Sequence, residues 1–383
     1  MHVGLSLLTL FPDRVGGSET YVRGLLGQFV QGNGPKRVTV LANRHVAGAY
    51  AGRTGGPVGL HHVRSYRAGN GTASRAAAMA LAALAPGRVA RDVPPGLDVI
   101  HHAVTVPIPR TGLPTVVTIH DVHHLDLRGP RALPLRAYRR WAYDGAARGA
   151  DAVIATSEFA RGRIVAGMGI PAERVHVVPL GVDHDVFHPG PEPGDEERLA
   201  RLRLPERFLL YPANLWPHKN HGVLLRALAQ VGDPDLHLVL AGEAYGRLPA
   251  LAAQARGLGV GERLQHIGHV SPETLAALYR RAAALVFPSG HEGFGLPPLE
   301  AMACGCPVAT SGAGALGDLP APAALRFDAA TPGPIVRSIE QIVYQSELRR
   351  TLIQAGRRHS ERFTWPACAE RHTEIYARVA HTS

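Results

Sequence analysis

Lysine is almost missing from this sequence. Of 41 Lys and Arg residues only Lys36 and Lys219 are lysines, so anion recognition falls to arginine, and a lysine in this background stands out as a chosen point charge. Three cysteines, Cys304, Cys306 and Cys368, exclude a disulfide framework and lack the spacing of a zinc site. They read as core thiols of a reducing compartment. Aromatics make up only 6%, too few for the stacking surfaces of single-stranded nucleic-acid binders. No run of eighteen apolar residues occurs, so no membrane-spanning helix is expected. The start, "MHVGLSLLTLFP", has neither the charged region nor the cleavage site of a signal peptide and reads as a first buried strand of a cytoplasmic chain. The G-x-G-x-x-G dinucleotide fingerprint is also missing, which counts against a nicotinamide oxidoreductase.

A length of 383 residues exceeds what one core supports, and 45% hydrophobic with 19% charged residues describes a folded chain, so two domains are expected. Charge is unevenly placed. Residues 1–190 hold 21 Lys+Arg against 12 Asp+Glu, a net +9, whereas 191–383 hold 20 against 19. The first half therefore carries a positive field that suits nucleic acid, an anionic membrane or an acidic substrate.

Short apolar runs alternate with alanine- and leucine-rich helical segments. "HVGLSLL", "RVTVLA", "LDVIHHA", "PTVVTIH", "DAVIATS" and "RVHVVPLG" read as strands of a first parallel sheet with crossover helices. "FLLYPANLW", "LHLVLAGE", "RLQHIGHV" and "AALVFPS" belong to a second. The expected organisation is an α/β chain of two doubly wound, Rossmann-like domains: 1–188, a proline- and charge-rich linker 189–206, then 207–364. A helical segment, 365–383, follows the second sheet.

Parallel sheets bind ligands outside the carboxyl ends of their strands, where several motifs lie. After the first strand, Gly16 and Gly17 precede Ser18, read as a helix N-cap, and Glu19 in the first turn, a start suited to an anion. "HDVHHLD" (His120, Asp121, His123, His124, Asp126) is either a metal-binding cluster of a hydrolase or one functional histidine at a strand end with packing neighbours. "GVDHDVF" reads as a turn. Lys219 stands before an apolar helix, where an ammonium meets a phosphate. In "EGFGLPPLEAMACGCPV", Glu292 lies in a loop, Gly293 and Gly295 permit close backbone approach, and Pro297 at a first helical position places Glu300 in the first turn.

Taken together, "GGSETYV", "TIHDVHH", "TSEFAR", "VVPLGVD", "PANLWPHKNH", "GHVSPETLAALYRRA" and the E-x7-E element "EGFGLPPLE" resemble the retaining family-4 glycosyltransferases of the GT-B fold, over nearly the whole chain and in order. The resemblance implies two domains facing across a cleft, the nucleotide sugar held mainly by the second and the acceptor by the first, and a last helix crossing back to the first. It implies Glu300 on the ribose hydroxyls, Glu292 and His120 beside the donor sugar, and Lys219 on the leaving phosphate. The amides of Phe294, Gly295 and Leu296 would lie near the diphosphate, with Gly16 and Gly17 against the phosphates and the Val270 main chain on the base. Many members have an arginine shortly before the lysine. Here Asn214 or Ala213 stands there.

The implied chemistry is sugar transfer to a hydroxyl with retention, by front-face attack in which the leaving diphosphate takes the acceptor proton, with no metal or other cofactor required. The acceptor would be a glycan, a lipid-linked glycan or a small natural product. "PANLWPHKNH" looks like mannosyltransferase-type members and points to GDP-mannose ahead of UDP-sugars. An epimerase of similar architecture is the alternative, with the metallohydrolase behind it. The segment 131–150, with Arg131, Arg136, Arg139, Arg140, Tyr138, Trp141 and Tyr143, is either a plain surface helix or a contact with an anionic membrane.

Overall fold

The computed structural model describes residues 1–12, 16–69, 71–126 and 133–381. Two compact units result, Met1–Gly181 with Trp365–Ser383, and Val182–Thr364. Among the described residues the first holds a seven-stranded parallel sheet: β1 (His2–Ser6), β2 (Arg37–Ala42), β3 (Val58–His62), β4 (Val99–His102), β5 (Thr115–Ile119), β6 (Ala152–Ala155) and β7 (Val175–Val177), in the order β3-β2-β1-β4-β5-β6-β7. The second holds β8 (Arg207–Pro212), β9 (Leu236–Ala241), β10 (Leu264–His266), β11 (Ala284–Phe287), β12 (Val308–Ser311) and β13 (Leu325–Phe327), in the order β10-β9-β8-β11-β12-β13. Every pairing within the two sheets is parallel.

Central strands of such sheets are covered on both faces, so they carry continuous apolar runs. All four residues of β11 are fully buried, as are Phe208, Leu209, Leu210 and Tyr211 of β8. The three strands outside the expected list break that pattern. β3 and β13 are edge strands with only one buried residue each. β12, "VATS", is buried but ends in hydroxyls: Thr310 Oγ1 donates to the Phe287 carbonyl at 3.2 Å, and Ser311 Oγ to the Ser289 carbonyl at 2.5 Å.

Two boundaries differ from the expectation. Residues 182–188 belong to the second unit, because Val182 N donates to the Phe363 carbonyl at 3.0 Å and the His184 ring bonds the same oxygen at 3.1 Å. The segment 189–206 is no extended linker. It contains the helix Asp195–Leu202, held by a largely buried ion pair between Arg280 and Asp195 at 2.8 Å, while Arg280 also donates to the His188 carbonyl at 3.1 Å.

The helix Trp365–His381 lies in the first unit and turns a stripe of Trp365, Cys368, Ala369, His372, Ile375, Tyr376 and Val379 inward, the spacing of one helical face. Cys304, Cys306 and Cys368 are buried free thiols. Burial raises all three pKa values, those of Cys306 and Cys368 to about 12, which leaves them unreactive.

Candidate active site

Strand order reverses between β8 and β11, and a crevice outside the carboxyl ends opens at such a point. The β8 loop supplies Lys219, at the end of the short 3-10 turn Pro217–Lys219. The β11 loop supplies Glu292. Lys219 Nζ lies 2.5 Å from Glu292 Oε1, with both side chains mostly buried. Backbone ties set the pair. Asn220, in the left-handed region at φ 55°, donates from Nδ2 to the Pro288 carbonyl at 3.1 Å. Gly290 N donates to the His218 carbonyl at 2.7 Å, and Tyr211 Oη to that of Lys219 at 2.7 Å. Lys219 thus meets a carboxylate rather than standing alone before its helix.

The helix Leu296–Ala303 follows Gly295, whose φ of 96° favours glycine and where a Cβ would press on Leu316 Cδ2 at 2.9 Å. It starts at Leu296 with Pro297 second, so Glu300 sits in the second turn, a shift from the expected first. Glu300 is buried, and its Oε2 accepts from Tyr279 Oη at 3.3 Å. Burial pushes its carboxyl pKa up to about 7 against the opposing effect of the tyrosine hydroxyl. Leu296 is buried, and Phe294 rests edge-on against Phe363, ring centres 5.9 Å apart.

Asn214 serves to hold loops together. Its Oδ1 accepts from Glu243 N at 2.8 Å and ties the β8 loop to the β9 loop. There Gly242, at φ 125°, approaches the Ala213 backbone so closely that a Cβ would lie 2.9 Å from its carbonyl carbon. Gly242 N also donates to the Gly268 carbonyl at 2.7 Å, which brings in the β10 loop carrying Val270. Ala213 is buried and offers no polar side chain.

In the first unit the helix Gly16–Val30 begins at Gly16, so Ser18 is its third residue and not the N-cap. Glu19 does fall in the first turn, where it is buried and pairs with Arg23. Both glycines are exposed, and among the described residues a Cβ on either would meet nothing within 4 Å, so the described packing does not require glycine there. His120 directly follows β5. Its Nε2 is 2.7 Å from the Ala103 carbonyl and so carries the proton. Burial lowers its pKa, with the Ala103 hydrogen bond and nearby Asp121 opposing.

The other groups of "HDVHHLD" diverge. His124 is buried on Asp144 at 3.1 Å, Asp121 Oδ1 accepts from His123 N at 2.5 Å, and Asp126 pairs with Arg163. Among the described residues no three His, Cys, Asp or Glu side chains are placed to hold a metal ion. In "GVDHDVF" Asp183 forms a turn, accepting from Asp185 N at 3.2 Å and from Phe187 N at 2.7 Å.

Sequence reading missed three contributors. Tyr279 bonds Glu300, Gly314 packs on Glu292, and Tyr21 meets His120 edge-on with ring centres 4.8 Å apart. For Gly314 the clue is "SGAGALG" just past a strand end. At φ 66° a Cβ there would collide with the Glu292 carbonyl oxygen, and Ala315 N donates to that same oxygen at 3.0 Å.

Known proteins match both units. A family described as glycosyl transferases group 1 matches residues 195–359, and Glycosyltransferase Family 4 matches residues 15–186. The chain is 30% identical over 293 residues to an MMP alpha-(1->4)-mannosyltransferase of Mycolicibacterium hassiacum, covering 71% of this chain and 68% of that protein. It is 30% identical over 230 residues to a D-inositol 3-phosphate glycosyltransferase of Segniliparus rotundus, covering 57% of this chain and half of that protein's length. The solved sucrose-phosphate synthase of Thermosynechococcus elongatus shares the fold with a TM-score of 0.80 over 100% of both chains, at 21% identity.

Proposed function

Because the chain belongs to the family-4, group 1 glycosyltransferases of the GT-B fold, we propose that it moves a sugar from a nucleoside diphosphate donor to a hydroxyl acceptor, with retention at the anomeric carbon. One observation carries the reading: Lys219 and Glu292 meet at the β8/β11 switch point, in the unit that also holds buried Glu300 behind a glycine-opened helix start. An ammonium has three donors, so Lys219 can keep Glu292 and still donate to a phosphate oxygen. Glu300, nearly apolar in its surroundings, suits an acceptor of neutral ribose hydroxyls. Glu292 bonds Lys219 while Glu300 bonds Tyr279, and those separate settings favour divided roles over a nucleophile pair, whose carboxylates would sit about 5 Å apart.

In the step proposed, the acceptor O–H attacks the anomeric carbon from the face the leaving group departs. The carbon–oxygen bond to the diphosphate breaks, its electrons go to the phosphate, and that oxygen takes the acceptor's proton. Lys219 offsets the growing charge, Glu292 and His120 hold the sugar, and positioning with preorganised donors supplies the rate. Gly16 and Gly17, which packing among the described residues does not demand, suit backbone approach to an anion. No metal enters this scheme. GDP-mannose is the donor favoured, in line with the mannosyltransferase relative, followed by UDP-sugars.

Exposed apolar side chains on two neighbouring segments favour an acceptor presented at an anionic membrane. Among the described residues, Leu81 and Leu84 of the helix Thr72–Leu84 and Leu133, Tyr138 and Trp141 of the segment 133–144 are five of the eight exposed large hydrophobics. Tyr138 Oη lies 3.8 Å from Met79 Sδ, so the two segments are neighbours, and Arg136, Arg139 and Arg140 interleave with the apolar groups. Arg131 lies outside the described residues. None of the described helices is long and apolar enough to cross a membrane.

A thermal-shift screen of nucleoside diphosphates and their sugars tests the reading, since a ligand at 100 times its Kd stabilises by about 2.7 kcal/mol. The expected result is stabilisation by one nucleoside diphosphate and its sugar, with anomer-retaining product only when acceptor is added. Epimerised donor without acceptor would overturn it.

A further inference from the structure

The helix Trp365–His381 docks in the first unit through an unbroken chain of buried hydrogen bonds. Tyr376 Oη is 2.6 Å from His101 Nδ1, His101 Nε2 is 2.8 Å from Thr118 Oγ1, and Thr118 Oγ1 is 3.0 Å from Tyr21 Oη. Tyr21 Oη is in turn 2.7 Å from His372 Nε2, and His372 Nδ1 is 2.7 Å from the Cys368 carbonyl. All five side chains are at most 1% exposed.

Every proton in this chain can be placed. A carbonyl only accepts, so His372 carries its hydrogen on Nδ1 and offers a lone pair at Nε2. Burial lowers the pKa of His372 to about 4 and holds that of His101 well below the ordinary histidine value, so both rings are neutral near pH 7. Tyr21 must then donate to His372, which leaves its oxygen to accept from Thr118. Thr118 spends its one proton on Tyr21 and accepts from His101 Nε2–H. The remaining His101 nitrogen accepts from Tyr376. All five bonds point one way, from Tyr376 to Cys368.

Tyr21 is where this chain reaches the candidate site, since its ring stands edge-on to His120 at 71°. His120 is fixed on the other side by the Ala103 carbonyl. Tight packing reinforces the arrangement: a Cβ on Gly24 would collide with the Trp365 indole, so only glycine lets the first helix lie this close to the last.

We propose that Tyr21 and His372 are positioning residues for His120, and that the C-terminal helix thereby holds the His120 ring with its Nδ1 lone pair directed to accept a hydrogen bond from a hydroxyl of the transferred sugar. This rests on the reading that places His120 at that sugar. The two hydrogen bonds at Tyr21 Oη fix the orientation of its ring, and that ring holds His120 by edge contact, so Tyr21 and His372 touch no substrate themselves.

Nitrogen-15 spectra of histidine-labelled protein at neutral pH test the chain without any turnover, because imidazole shifts separate the two neutral tautomers, and His101→Asn, His120→Asn and His372→Asn variants assign the signals. The expected result is His372 protonated on Nδ1, with His101 and His120 on Nε2. Tyr21→Phe keeps the ring but removes both hydrogen bonds. It should lower kcat by about tenfold, move the His120 and His372 signals, and leave the nucleoside diphosphate Kd within about twofold. Should Tyr21→Phe fail to fold, Tyr376→Phe, which removes only the first bond, should still shift the His101 signal and lower kcat. Opposite tautomers at His101 or His372, or a folded Tyr21→Phe with parental kcat and an unmoved His120 signal, would overturn the proposal. A parent that shows these tautomers but transfers no sugar would instead overturn the site reading of His120, and with it this role.

Discussion

Lys219 Nζ lies 2.5 Å from Glu292 Oε1, so the single lysine of the second unit faces a carboxylate from the neighbouring central strand's loop. Each residue therefore has a partner before any donor arrives, and substitution of either acts on both. Lys219→Ala should weaken nucleoside diphosphate binding roughly tenfold to a hundredfold, the loss of one charge-assisted hydrogen bond, while the nucleoside alone binds as before. Glu292→Gln frees the ammonium, so nucleoside diphosphate affinity should hold or rise while kcat falls. Titration calorimetry and steady-state rates on the two variants decide this. A Glu292→Gln protein that loses nucleoside diphosphate binding as badly as Lys219→Ala would show that the pair is one structural unit.

Glu300 gives the site a pH dependence. Its carboxyl titrates at about 7, and the anion accepts more strongly from the ribose hydroxyls than the neutral acid does, so nucleoside diphosphate affinity should rise between pH 6 and pH 8 and then level. The stability effect has the opposite sign. Between the ordinary 4.5 and about 7 the folded state binds more protons than the unfolded one, so stability falls as pH rises through that window, by an amount on the order of 3 kcal/mol. Glu300→Gln should bind nucleoside diphosphate at least tenfold more weakly at pH 8 and lose the pH dependence of affinity. Its stability relative to the parent should improve from pH 5 to pH 8. Parallel stability curves for the two proteins would contradict the assignment.

Gly314 tests how far the Glu292 loop is fixed by its surroundings. Gly314→Ala places a methyl group against the Glu292 carbonyl at a left-handed backbone position, so a loss of roughly 1–3 kcal/mol is expected. Thermal melting measures it. The variant that folds should lose kcat more than it loses nucleoside diphosphate affinity, because what moves is Glu292 and not Glu300.

Through the exposed side chains of Leu81, Leu84, Tyr138 and Trp141 the protein should bind vesicles containing anionic lipid at low salt and leave neutral vesicles in solution. Replacing Leu84 and Trp141 together with serine should abolish sedimentation and leave the melting temperature nearly unchanged, since both are largely exposed. Equal sedimentation with anionic and neutral vesicles would remove charge from the explanation and favour a freely diffusing acceptor.

Chelator-treated protein should keep its transferase rate. In the proposed step the cation that offsets the leaving charge is Lys219, already paired with Glu292. Loss of activity on chelation, restored by one divalent metal, would contradict that step.

Some of this was legible without coordinates. Strands at sheet centres are buried on both faces and must be written as continuous apolar runs, so β1, β8 and β11 declare themselves, and the loops at their carboxyl ends become the places to look. Lys219, Glu292 and Glu300 stood out by chemistry: a lone lysine among arginines, and two carboxylates amid glycine, proline and apolar residues. Edge strands bury one face or less, so β3 and β13 carried no such run. The charged stretch 189–206 read as a linker because one residue, Arg280, more than seventy positions away, turns Asp195 from a solvated charge into a buried anchor. Tertiary structure alone decided which polar groups meet. Whether Glu292 finds Lys219, whether burial raises the pKa of Glu300, and whether Tyr21, Thr118, His101, His372 and Tyr376 join into one chain all depend on distances of a few ångströms between segments up to 351 positions apart. Hydrogen bonding and desolvation are set at that range, and residue order does not encode it locally.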